Sequence, residues 1–115
     1  MLSQKRRANT ELLKKSLKNK GFFVRSHSFT LRIYSLDKPD LSKIACIASK
    51  GHFKKAVARN RARRIVYSII SKISNKLVNS KLLVFNLNKN VLEKNPKELE
   101  REIKDILAKS NTYKD

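Results

Sequence analysis

One helical face fixes what this chain can become. Residues 62–77 place Ala62, Ile65, Val66, Ile69, Ile70, Ile73 and Leu77 at three-and-four spacing, the signature of an amphipathic helix whose apolar stripe must be buried. Immediately before it, the run 54–64 crowds Lys54, Lys55, Arg59, Arg61, Arg63 and Arg64 into the opening turns. Beyond Arg64 the polar face is mostly uncharged, carrying Tyr67, Ser68, Ser71, Ser74 and Asn75. A helix start already bears partial positive charge, so each cation there is disfavoured by about 0.3–1 kcal/mol at an exposed site. Stability alone does not select that arrangement. An anionic partner offsets it, because unpaired N–H groups together with arginines form a phosphate site. A solvated basic face is the plainer alternative, and the crowding of four arginines into positions 59–64 argues against it.

Charge over the whole chain points the same way. Lys and Arg number 28 against 9 Asp and Glu, a net charge of +19, which calls for a polyanion as partner. A length of 115 residues supports one domain over 1–115 with a single modest core. Disorder is excluded for most of it by the patterned apolar residues, 40% of the total, and by only 2 Gly and 2 Pro. Cys46 stands alone in an apolar run and reads as a buried small hydrophobe, which fits a reducing cytoplasm. No stretch approaches the ~20 apolar residues of a membrane span, and no signal-like apolar segment opens the sequence. A soluble cytoplasmic protein without membrane contact is expected.

In chain order, residues 1–8 include Lys5-Arg6-Arg7 and are expected to form a mobile basic arm. A short helix should follow, capped by Asn9 or Thr10, with Leu13 and Leu17 on one face and Gly21 as a terminator tolerant of positive φ. Phe29, Leu31 and Ile33 then alternate with Thr30, Arg32 and Tyr34, a half-buried strand. Asp37-Lys38-Pro39-Asp40 reads as a turn. Residues 44–48 should form a strand pairing antiparallel with the preceding one, and 82–87 a central strand. Asn95-Pro96 opens a final helix with Leu99, Ile103, Ile106 and Leu107 buried and four-apart pairs Glu100–Lys104 and Arg101–Asp105 outside. Most acidic residues lie in that helix, so the nucleic-acid face lies elsewhere. The order of elements argues for an α+β two-layer sandwich with helices packed on one sheet.

Catalytic groups are scarce. His27 and His52 have no carboxylate or cysteine nearby at a ligand or triad spacing, no glycine-rich phosphate loop is present, and the carboxylates offer no convincing acid–base pair. Chemistry must then come from a partner, which points to a ribonucleoprotein. Composition alone favours a ribosomal or other structural RNA-binding protein with no role in processing. DNA readout by a helix in the major groove fits less well, since the arginines stop after the opening turns.

Ser49-Lys50 followed by Lys55-Ala56-Val57-Ala58-Arg59-Asn60-Arg61-Ala62-Arg63-Arg64 resembles the signature of the bacterial ribonuclease P protein component, and the order of the other elements is similar over nearly the whole chain. The resemblance implies an α-β-β-β-α-β-α fold on a mixed four-stranded sheet, with a left-handed βαβ crossover, against the usual preference. It also implies the protein subunit of an enzyme whose RNA cuts the 5′ leader from precursor tRNA by Mg²⁺-dependent hydrolysis, the Mg²⁺ being bound mainly by RNA, with no obligate protein partner. By matching position, Lys50, Lys54, Lys55, Arg59, Asn60, Arg61, Arg63 and Arg64 would bind the RNA subunit. Leu13, Leu17, Thr30, Arg32 and Tyr34 would meet the leader. Two departures stand out. The loop Gly51-His52-Phe53 is about one residue longer than the family's, and Leu13 and Leu17 occupy positions often aromatic in it.

Overall fold

A computed structural model describes residues 7–8, 21–36 and 41–113. The expected first helix, with Leu13 and Leu17, and the turn at 37–40 lie outside the described residues. Strands β1 (Phe22–Arg25), β2 (Phe29–Ser35) and β3 (Lys43–Ala48) precede helix α1 (Ala56–Ile73). A short 3₁₀ turn then leads to β4 (Lys81–Leu87), a single-turn helix α2 (Asn90–Glu93) and helix α3 (Pro96–Lys109).

The sheet is mixed, in the order β1-β2-β4-β3. β1 and β2 form an antiparallel hairpin, β2 pairs antiparallel with β4, and β3 pairs parallel with β4. The expectation that β3 pairs antiparallel with β2 is therefore corrected. The reason is burial: Leu82, Leu83, Val84 and Phe85 are consecutive and all buried, so β4 belongs at the centre of the sheet with a neighbour on each side. Reaching a parallel β4 from β3 takes a long crossover, which the 18-residue α1 supplies. This βαβ placement is consistent with the left-handed connection implied by the resemblance.

Most of the core lies on one face of the sheet. Phe29, Leu31 and Ile33 from β2, Leu83, Phe85 and Leu87 from β4, and Ile44 and Cys46 from β3 meet α1 and α3 there. Phe29 and Phe85 pack edge to face with centroids 5.2 Å apart. From α1 come Ala62, Val66, Ile69, Ile70 and Ile73, and from α3 come Leu99, Ile103, Ile106 and Leu107, the stripes the periodicity predicts. The opposite face holds a smaller cluster of Tyr34, Ala45, Leu82 and Val84.

Local sequence sets the boundaries. Asn95 caps α3 by accepting from the Lys97 N–H at 2.8 Å, with Pro96 in the first position, where its missing N–H has no consequence. At the other end Asn111 takes φ 60°, and the Thr112 and Asn111 N–H groups reach back to Leu107 and Ala108, a Schellman closure with asparagine in place of glycine. Gly21 does not have positive φ, which corrects that expectation, and the helix it was expected to end lies outside the described residues. What Gly21 needs is space: a Cβ there would sit 2.5 Å from Tyr34 Cε1. Glu100 pairs with Lys104 at 3.4 Å, whereas Arg101 and Asp105, both exposed, stay apart, since hydration competes well with surface pairs.

The outer edge of β3 is covered. Arg7 forms a parallel bridge with Ile44, the Ala8 N–H donates to the Ile44 carbonyl at 2.9 Å, and the Cys46 N–H donates to Tyr67 Oη at 3.1 Å. The end of the expected mobile arm is thus held to the sheet at Arg7 and Ala8. Burial pushes both the Cys46 thiol and the Tyr67 phenol up, so each is uncharged at neutral pH.

An acidic hub joins the hairpin to α3. The Glu102 carboxylate, its side chain only 10% exposed, accepts from Lys94 Nζ at 2.6 Å, the Ser28 N–H at 2.9 Å, Ser28 Oγ at 2.8 Å and Ser26 Oγ. Burial works to raise its pKa, but the bonds from Lys94, Ser26 and Ser28 outweigh that and hold it below the usual glutamate value. A depressed folded-state pKa gives stability that is present above the unfolded-state value and lost as pH falls through the folded-state value. Glu102→Gln should therefore lower stability at pH 7 by about 1–3 kcal/mol. The difference from the unaltered chain should shrink on acidification below pH ~4, as denaturant titrations at several pH values would show.

Candidate nucleic-acid interface

The arginine run begins where β3 gives way to α1. After Ser49 the chain turns tightly, with the His52 and Phe53 N–H groups donating to the Ser49 carbonyl at 3.2 and 3.0 Å. Phe53 is buried in the core, so the longer loop serves as a hydrophobic plug with Gly51 and His52 at its exposed tip. Arg59 reaches back to hold that plug, its guanidinium donating to the Phe53 carbonyl at 2.9 Å and, less closely, to that of Lys54 at 3.4 Å. No side chain caps the start of α1, and no acidic residue lies in its first turn. Its opening N–H groups and their dipole are left to whatever binds there.

The predicted RNA-facing residues do converge. Lys50, Lys54, Lys55, Asn60, Arg61 and Arg64 are exposed, and Arg59 and Arg63 are partly buried. Arg63 donates to Asn60 Oδ1, which steers one guanidinium, while Arg61 and Arg64 have no hydrogen-bond or ion-pair partner among the described residues. The solvent side of α1 reads Val57, Arg61, Arg64 and Ser68 at helical spacing, free of negative charge. Val57, 77% exposed, is an apolar contact that the sequence reading missed. The exposed carboxylates of α3 lie on another element, at the end of the chain.

The second cluster of predicted residues is on the sheet face away from α1 and α3. Strand register sets Arg32 between Phe23 and Val84, and Thr30 between Arg25 and Asn86. Arg32 is exposed and Thr30 partly so. Tyr34 is only 5% exposed, packed with Ala45, Leu82 and Val84, so it helps build this face more than it offers a ring to solvent. Phe23 is the open aromatic here, 58% exposed, and sequence reading missed it because the 22–25 segment is too short to show its alternation clearly. A recess lined by Arg25, Thr30, Asn86, Ser49 and His52 joins this face to the loop before α1. Leu13 and Leu17, also expected at this surface, lie outside the described residues.

An α+β sandwich with a bare arginine-bearing helix start and a basic, partly aromatic sheet face has the charge distribution that a polyanion would complement. A sequence model of the Ribonuclease P family matches residues 5–111, and the chain belongs to that family of ribonuclease P protein components. Solved structures agree on the fold. A Staphylococcus aureus RNase P protein mutant with defective mRNA degradation activity superposes with a TM-score of 0.80 at 15% identity, over 94% of this chain and 90% of that one. The unaltered S. aureus protein gives 0.77 at 15% identity, over 96% and 99%. The Thermotoga maritima RNase P protein gives 0.74 at 15% identity, over 88% and 94%. No curated protein sequence matches. Membership associates the chain with the endoribonuclease of tRNA processing and with ribonuclease P RNA. Among the described residues no helix is long and apolar enough to cross a membrane.

Arg59 and Arg61 differ in what they hold, and substitution should separate them. Arg61→Ala should leave the melting temperature unchanged and reduce the slope of log affinity for RNA against log salt by about 0.7–0.9, one phosphate contact. Arg59→Ala should lower the melting temperature as well, since it frees the Phe53 plug. Thermal melts paired with salt-dependent binding titrations measure both.

Proposed function

We propose that this chain docks on the catalytic RNA of ribonuclease P through the start of α1 and holds the 5′ leader of precursor tRNA on the open face of the sheet. The observation that carries this reading is the exposed pair Arg61 and Arg64 at an uncapped helix start, with no carboxylate partner among the described residues, in a chain of the ribonuclease P family. Lys50, Lys54 and Lys55 extend that cationic surface, and Asn60 and Arg63 order its edge. On the sheet, Arg32 and Arg25 would meet leader phosphates while Phe23 stacks on a base, contacts that tolerate varied leader sequences. The recess containing His52 and Asn86 supplies a continuous path between the two surfaces.

In this reading the chain positions substrate and RNA and contributes no catalytic group. Mg²⁺ bound mainly by the RNA would supply the hydrolytic chemistry. A buried, uncharged Cys46 suits the reducing cytoplasm in which this processing would take place. Family membership favours processing over a purely structural RNA-binding role, such as that of a ribosomal protein.

The test is direct. Purified protein added to a bacterial ribonuclease P RNA and precursor tRNA at low Mg²⁺ should accelerate leader release over RNA alone, and no acceleration would refute the proposal. Phe23→Ala combined with Arg32→Ala should weaken precursor binding by the assembled enzyme about ten-fold or more, from one lost stacking contact of roughly 1–3 kcal/mol and one lost phosphate contact. Binding of mature tRNA and of the RNA subunit should be unaffected, as parallel titrations would show.

A further inference from the structure

One recess outside the sheet face has the chemistry of a nucleotide site. It lies between the segment bridged to β3 and the flank of α1, and is lined by Arg7, Asn60, Arg63, Arg64, Tyr67 and Ser68. The Arg7 guanidinium lies over the Tyr67 ring, with Cζ 5.1 Å from its centroid. Both partners are fixed. Tyr67 is tethered by the Cys46 N–H at 3.1 Å, and the Arg7 backbone by its bridge to Ile44. Among the described residues, Arg7 Nε is the one buried side-chain nitrogen or oxygen with no hydrogen-bond partner. Three guanidinium groups therefore share a recess that no carboxylate lines among the described residues, and one of their donors is buried and unsatisfied.

We infer that this recess takes one unstacked nucleotide of the RNA to which the chain binds. The inference rests on the proposed RNA docking and extends it from phosphate contact to capture of a base. Arg63 and Arg64 hold the phosphate, and the planar Arg7 guanidinium, backed by Tyr67, presents a stacking surface to the base. The Asn60 amide and Ser68 hydroxyl supply polar contacts at its rim. A base inside a continuous duplex cannot enter, because it is already stacked on both sides and its A-form major groove is narrow. The recess thus distinguishes a bulged or single-stranded position from a helix, which phosphate contacts alone do not.

Arg7→Lys tests this by keeping the charge and the backbone bridge while removing the plane. Binding of the full-length chain to in vitro transcribed ribonuclease P RNA, to a single-stranded RNA oligonucleotide and to a blunt RNA duplex is measured across salt. The variant should bind the first two about ten-fold more weakly, with unchanged salt slopes, and the duplex as before. Equal loss on all three RNAs, or no loss on any, would overturn the inference while leaving docking intact. Failure of the unaltered chain to bind the ribonuclease P RNA would overturn both. Zero-length ultraviolet crosslinking of the unaltered complex, read by peptide mass spectrometry, should place a nucleotide on the segment carrying Arg7 or on the stretch of α1 from Asn60 to Ser68. Crosslinks confined to the sheet face would count against the recess.

Discussion

Burial of β4 on both faces is the constraint from which the remaining architecture follows. Four consecutive apolar residues, Leu82 to Phe85, cannot sit at an edge, so β2 and β3 must flank the strand. Seating β3 beside a parallel β4 requires a long crossover, and α1 is that crossover. Its start then necessarily falls just past the end of β3. The arginines stand there because the sheet is ordered as it is, and the helix can point an uncapped N-terminus outward because Ile69, Ile70 and Ile73 anchor its far half.

Charge is apportioned along the same lines. Cations collect at the beginning of α1 and on the open sheet face, while Glu102 is spent on joining the β1–β2 turn to α3. That division lets the chain hold its shape despite a net charge of +19. It also separates the groups that maintain the fold from those available to a polyanion. Arg59 is the exception, since it serves the loop before α1 and stands beside the exposed cations of the helix start.

Much of this was legible in the residues because its signals are local. Periodicity gives α1 and α3, the Asn95-Pro96 start is a matter of capping chemistry, and the crowding of arginines is visible at a glance. Strand pairing was not, because an apolar run such as 44–48 carries no mark of its partner; only the competition among strands for the centre of the sheet decides it. The same holds for the site. Arg61 and Arg64 could be named from sequence, whereas Phe23 becomes an exposed aromatic opposite Arg32 only once register is set, and Tyr34, which looks open by alternation, is buried by its neighbours across the sheet. Glu102 was hidden for a related reason, since its partners are more than 70 residues away apart from Lys94.

The covering of the β3 edge has a consequence for behaviour in a crowded assembly. Polyanions concentrate cationic proteins on their surfaces, and a bare strand edge under those conditions is a template for intermolecular sheet growth. Here Ala8 occupies the Ile44 carbonyl and Tyr67 the Cys46 N–H, so two adjacent backbone groups that an incoming strand would use at the middle of that edge are already engaged. The same tyrosine that ties α1 to the sheet thereby acts as a gatekeeper against self-association.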